Sequence, residues 1–213
     1  MKKRIIASVS TLLFSLLVYQ PSLLEVIKLR TFDALIQIEQ PTGNVVVLNL
    51  TEDDIHREGG WPFPRKRLAK IHTDLIDRGA ASVSWVAAFS EPDRFGGDEI
   101  FAQALSHNPS VLAMFETDGF KEPLKTEGTV TLGNDVGGIQ ATGVTQNIKP
   151  LRDIALQGIV SAPVDVDNLV RRMPLLMRSN DGWIASFGMQ LLKAVTGTST
   201  YVIKTNANGI QEV

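Results

Sequence analysis

Lys2, Lys3 and Arg4 stand directly before an apolar run from Ile5 to Tyr19 that only Ser8, Ser10, Thr11 and Ser15 interrupt. A helix rising about 1.5 Å per residue covers roughly 22 Å over that run, and about 30 Å when it is continued to Leu24, the thickness of a bilayer's hydrocarbon core. The run is apolar all round and not striped, unlike a helix lying on the surface of a soluble domain. No small-x-small cleavage signal lies near Tyr19 to Ile27, which favours an uncleaved anchor over a signal peptide. The basic flank keeps the amino terminus in the cytoplasm. The sequence therefore predicts a transmembrane anchor over residues 1–24 and an exported domain over residues 25–213.

The exported part is long enough for one sizeable core. With 44% hydrophobic and 21% charged residues the chain reads as globular. A net charge of −2 offers no electrostatic case for nucleic acid. The absence of cysteine excludes disulfides, zinc–thiolate sites, iron–sulfur clusters, cysteine nucleophiles and a lipidated-cysteine anchor.

Apolar spacing predicts a helix over residues 22–40, ended by Pro41-Thr42-Gly43-Asn44. Val45 to Leu50 reads as a strand buried on both faces, followed by the polar turn Thr51 to Asp54. Pro64 opens a helix that carries Leu68, Ile71, Leu75 and Ile76 on one face and stops at Gly79. Further strands are predicted at Ser82 to Ala87 and Val111 to Phe115, with a helix between them that Asp98 caps. Residues 118–150 read as an excursion of loops with room for a hairpin. Strands at Gly158 to Pro163 and Leu169 to Met177 flank a turn at Asp165-Val166-Asp167-Asn168. A helix from Trp183 to Val195 ends at Gly197, and a strand from Tyr201 enters a turn at Asn206 to Gly209. The alternation predicts an α/β fold, a mixed and mainly parallel sheet flanked by helices, behind an N-terminal transmembrane helix.

Acidic residues gather at the carboxyl ends of two predicted strands, Glu52, Asp53 and Asp54 after the first and Glu91 and Asp93 after the second. Ligands of open α/β sheets bind at that end, so these carboxylates are candidates for a cation or an amine, or simply for solvated and capping groups. His56, His72 and His107 are not at metal-ligand spacing. The 165–168 turn lacks the glycine and distant glutamate of a calcium loop. Neither a nucleophile elbow nor a phosphate loop is present. The cations Arg65, Lys66 and Arg67 at a helix start oppose its dipole and favour an anionic neighbour. Gly96-Gly97-Asp98-Glu99-Ile100 resembles the GGDEF signature of diguanylate cyclases, yet it leads straight into an amphipathic helix and reads as a glycine loop before an Asp cap.

Gly60-Trp61-Pro62-Phe63-Pro64-Arg65 resembles the G-W-P-[WF]-[PS]-R segment of the CHASE type-two family of sensor domains. Phe89-Ser90-Glu91-Pro92-Asp93 is similar to that family's F-x-E-P-D, and Asp165 to Leu175 to its D-x-D-G-x-x-R-x-x-P-L turn, with Asn168 in place of the glycine. The family's I-D-E at the first strand end stands here as Asn49-Leu50-Thr51-Glu52, and its F-D pair as Trp85-Val86, which implies an altered ligand site. The resemblance implies a periplasmic sensor domain at a bacterial inner membrane, without catalysis or cofactor of its own. Its family coupling is to a cytoplasmic cyclase or kinase, and a sensor domain that ends at Val213 reads as incomplete. Expected partners are the membrane, a small-molecule or periplasmic ligand, and a second copy in a homodimer. Expected ligand contacts are Trp61, Arg65, Glu91, Asp93, Asp98 and Arg171, each with a structural alternative such as a core plug for Trp61 or an ion pair for Arg65. The alternatives are a metal-assisted hydrolase built on the strand-end carboxylates, or a module that dimerises through the membrane-proximal helix.

Overall fold

The computed structural model describes residues 14–15, 21–37, 40, 42–119, 124, 126–133, 137–207 and 209–213. The predicted membrane run lies outside these residues apart from Phe14 and Ser15, and residues 21–24 of the anchor fall in a later helix. Among the described residues no helix is long and apolar enough to cross a membrane. Contacts divide the chain into two units, Met1–Asn49 with Pro163–Arg171, and Leu50–Ala162 with Arg172–Val213.

The first unit contains helix α1 (Pro21–Leu35), which stops short of the predicted residue 40. Leu29 is wholly buried, whereas Leu24, Ile27 and Leu35 are exposed. Val45 to Leu50 is not a strand: it takes no place in any sheet, and its side chains are exposed. A β-branched run has strand propensity, but a strand exists only where a neighbour completes its ladder. The 165–168 turn forms as expected. Asn168 N–H donates to the Asp165 carbonyl at 2.9 Å, and Asp165 N–H to the Leu169 carbonyl at 2.9 Å. Asn168 adopts φ 61°, the left-handed geometry that asparagine tolerates where the family has glycine.

In the second unit, α2 (Glu52–Arg57) occupies what reads as a polar turn. A capping box creates it: Thr51 Oγ1 accepts from Asp54 N–H at 3.3 Å, and Asp54 Oδ2 accepts from Thr51 N–H at 3.0 Å. Helix α3 (Arg65–Asp77) begins after Pro64 and ends before Gly79, whose φ of 99° only glycine adopts without strain. The predicted second strand shrinks to a single parallel bridge, Trp85 to Leu112. Helix α4 (Asp98–Ser106) follows, then β1 (Val111–Glu116), buried over its first four residues.

The looped excursion contributes β2 (Gly128–Leu132), β3 (Ile139–Gln140), β4 (Val144–Thr145) and the short helix α5 (Lys149–Arg152). Next come β5 (Leu156–Ile159), β6 (Leu176–Ser179), β7 (Gly182–Ala185), α6 (Phe187–Thr196), β8 (Thr200–Asn206) and β9 (Gly209–Glu212). Among the described residues the strands form three sheets, ordered β4-β1-β5, β2-β8-β9 and β3-β6-β7. Each has one parallel and one antiparallel pairing. This corrects the expectation of one mainly parallel sheet. The excursion's short strands each join a different partner and so divide the pairing.

Three boundaries also move. The strand expected at Gly158 to Pro163 runs instead over Leu156–Ile159, where its ladder with β1 lies. Leu169 to Leu175 stays irregular, with Pro174 unable to donate to a ladder, and β6 starts only at Leu176. The predicted helix from Trp183 begins at Phe187, where Ser186 Oγ caps it by accepting from Met189 N–H at 3.3 Å. Trp183 to Ala185 belongs instead to a hairpin turned through Asn180-Asp181 before Gly182. The main core gathers Phe63, Leu68, Phe89, Phe101, Leu105, Leu112 and Leu151. Phe101 meets Phe89 and Trp85 edge-on at 5.3 and 5.7 Å. Burying a ring of this size completely contributes roughly 2–3 kcal/mol.

Candidate functional site

The tryptophan–proline loop and the F-S-E-P-D loop meet at Arg65. Phe63 enters the core and Trp61, across a cis Trp61–Pro62 peptide, stays half-exposed against its edge at 5.3 Å. Trp61 is therefore not a core plug. Arg65 is buried, its guanidinium 4.3 Å from the centre of the Phe89 ring. Its Nε lies 3.5 Å from Asp98 Oδ1, and Nη2 donates to the Glu91 carbonyl at 3.4 Å. The ion pair thus runs to Asp98, and Glu91 contributes its backbone while its side chain faces solvent.

Asp93 organises the loop backbone. Its Oδ2 accepts the N–H groups of Arg65 at 2.9 Å and Gly97 at 3.1 Å, and its Oδ1 accepts that of Phe95 at 3.1 Å. Burial raises the Asp93 carboxyl's pKa, but the N–H groups of Arg65, Phe95 and Gly97 outweigh it and hold the group below its ordinary value. The anionic neighbour expected beside the cationic helix start is this carboxylate. Arg65 is lowered by burial, against the opposing pull of Asp98 and Asp93.

Asp98 does not cap α4; Gly97 holds the cap position. Asp98 Oδ2 instead accepts Asp93 N–H at 2.8 Å from the first helical turn, where a carboxylate also suits the dipole. Gly97 is required by close approach: a Cβ there would lie 2.7 Å from the Lys66 nitrogen and 2.9 Å from Asp93 Oδ2. The glycine pair that resembles a cyclase signature is a tight turn in this clasp.

Five of the six expected contacts, Trp61, Arg65, Glu91, Asp93 and Asp98, therefore belong to one pair of loops. Arg65, Asp93 and Asp98 are turned inward to one another, and Trp61 and Glu91 outward. Arg171 belongs to the other unit. Its Nε and Nη2 donate to the two oxygens of Asp33 at 2.7 and 2.9 Å. Nη1 donates to Asp165 at 3.1 Å and to Asp167 at 2.8 Å, and Nη2 to Asp167 at 2.7 Å. The Arg171 hydrogen bonds hold Asp167 down at about 2 and Asp33 below its usual range.

One polar group, Asn147, escaped the sequence reading. Asn147 is buried and bridges the second loop to β1, accepting Phe89 N–H at 2.7 Å and donating to the Ala113 carbonyl at 3.1 Å. His72 lies fully buried beside Trp85. A cleft of about 360 Å³ lies apart from the loops, lined in part by Met189, Lys193, Tyr201 and Lys204. Both its lysines are paired, with Glu127 and Glu212. Among the described residues no group of three or more histidine or acidic side chains is placed to hold a metal ion.

The sequence matches the CHASE2 domain over residues 9–211. The chain belongs to the CHASE2 domain family, a family of sensory domains typically found outside the cell. Comparison with curated proteins and with solved structures finds no match.

Proposed function

We propose that this chain is the extracytoplasmic sensory domain of a transmembrane bacterial signalling receptor. In this reading residues 1–24 anchor it in the inner membrane, residues 25–213 face the periplasm, and a cytoplasmic cyclase or kinase supplies the output. The observation that carries the proposal is membership of a sensory family over nearly the whole chain, joined to the basic–apolar amino terminus. The domain works by binding and not by catalysis: a ligand biases two conformations through its differential affinity for them.

The ligand-facing surface is the exposed edge of the two-loop clasp. Trp61 and Glu91 offer an aromatic face and a carboxylate to a small ligand, and Arg65, Asp93 and Asp98 hold them in register. The receptor is a homodimer paired along α1, where Leu24, Ile27 and Leu35 leave apolar surface uncovered. The test is a chimera that joins the chain through a second membrane span to a histidine-kinase output. Output should change with periplasmic extract and lose that change in Trp61→Ala. A kinase indifferent to extract, in a chimera inserted and folded, contradicts the reading.

A further inference from the structure

We infer that Arg171 is a conformational latch that fastens α1, through Asp33, to the turn at residues 165–168, and that release of Asp33 is the step by which α1 changes state. The sensory reading supplies the purpose of that step; the latch itself stands on geometry. A guanidinium has five N–H donors. All five of those on Arg171 are engaged, two by Asp33 and three by Asp165 and Asp167. The side chain is only 6% exposed, so no donor faces outward to take an anionic ligand.

The three carboxylates play unequal parts. Asp165 and Asp167 lie six and four residues before Arg171 and hold it locally. Asp33 comes from 138 residues away, and its ion pair links α1 to the turn. Its side chain is 40% exposed, against 21% and 16% for the other two, so water reaches the latch from the α1 side. Arg171 faces three carboxylates, and Arg30 also draws on Asp33. When Asp33 leaves, Arg171 is still compensated by two carboxylates, and undocking does not strand a buried charge. Undocking breaks this two-point contact and uncovers Leu29, which is wholly buried on the same helix. The contact sits on the helix that follows the amino-terminal apolar segment, and a packed element with two discrete arrangements is what a switch needs.

The test uses the full chain, which has no native cysteine to compete for labels. Nitroxides go on Ile27→Cys in α1 and Val170→Cys beside the latch, both exposed positions, in protein diluted with unlabelled copies so that only pairs within one chain report. Pulsed dipolar spectroscopy should return one narrow distance distribution. Asp33→Asn and Arg171→Gln should each broaden it and lower the docked-to-undocked ratio on the order of tenfold, the loss of one charged hydrogen-bonded contact. Asp33→Glu should restore it. Should Arg171→Gln fail to fold, Asp33→Asn decides alone, because Asp165 and Asp167 remain on the arginine. A distribution left unchanged by Asp33→Asn in a folded protein overturns the inference. No stimulus or output enters the measurement, so its result is separate from that of the chimera.

Discussion

Trp85 donates its indole N–H to His72 Nδ1 across 3.3 Å inside the core, which fixes that imidazole nitrogen as an acceptor. The ring is then neutral with its proton on Nε2, and Nε2 is buried with no hydrogen-bond partner among the described residues. Burial lowers the His72 pKa, with His107 acting in the same direction. A folded value below the unfolded one means that acid favours the unfolded chain. Stability is therefore full above the unfolded pKa of about 6.5 and falls as pH drops below it. Urea midpoints measured at pH 7.5 and 5.5 should fall on acidification in the wild type. The fall should be smaller in His72→Gln, whatever that variant's stability at pH 7.5.

Asp98 and Glu91 are neighbours in sequence pattern but not in energetic role. Asp98→Ala leaves the buried Arg65 with its ion-pair partner gone and should cost about 3 kcal/mol in denaturant unfolding. Glu91→Ala removes an exposed side chain whose carbonyl, not carboxylate, holds Arg65, and should stay within about 0.5 kcal/mol. Equal losses would show that the clasp is not organised as described.

Phe101 is the hinge of the aromatic cluster, fully buried and edge-on to two rings. Phe101→Ala should destabilise by about 3–5 kcal/mol, through lost transfer energy and the cavity left behind. Phe95, half-exposed in the adjoining loop, should lose far less when changed to alanine. Paired thermal and urea melts check both.

Acid should open the latch in a defined window. The folded pKa of Asp167 is depressed to about 2, first by the Arg171 hydrogen bonds, and that of Asp33 is lowered for the same reason. Such groups contribute stability above the unfolded carboxylate value near 3.9 and lose it as pH falls toward 2. The Ile27–Val170 label distance should therefore hold from pH 7 to 5 and spread only below about pH 4. A shift already complete at pH 5 contradicts that assignment.

Local signals in the sequence were legible where chemistry acts over a few residues. Pro64 and Gly79 bound α3, Asn168 takes the left-handed turn, and Asn206 pairs with Gly209 at the end of the β8–β9 hairpin. The loop residues of the candidate site were legible too, through their order. Non-local pairing was not. The Val45 to Leu50 run has the composition of a strand, yet propensity cannot say whether a neighbour completes its ladder. Trp183 to Ala185 fits helical spacing, and the Asn-Asp-Gly turn before it was the signal for a hairpin. Arg171 could be picked out but not paired, because Asp33 lies 138 residues away. Asn147 left no trace, since an isolated asparagine in a polar stretch looks the same whether buried or solvated.

The account depends on the domain lying outside the cytoplasmic membrane. Paired fusions of alkaline phosphatase and of a cytosol-only fluorescent protein after Val213, in a bacterial host, test that directly. The account predicts an active phosphatase and a dark fluorophore, with the membrane fraction holding the fusion through residues 1–24. A fluorescent fusion with inactive phosphatase would place the domain in the cytosol and contradict it.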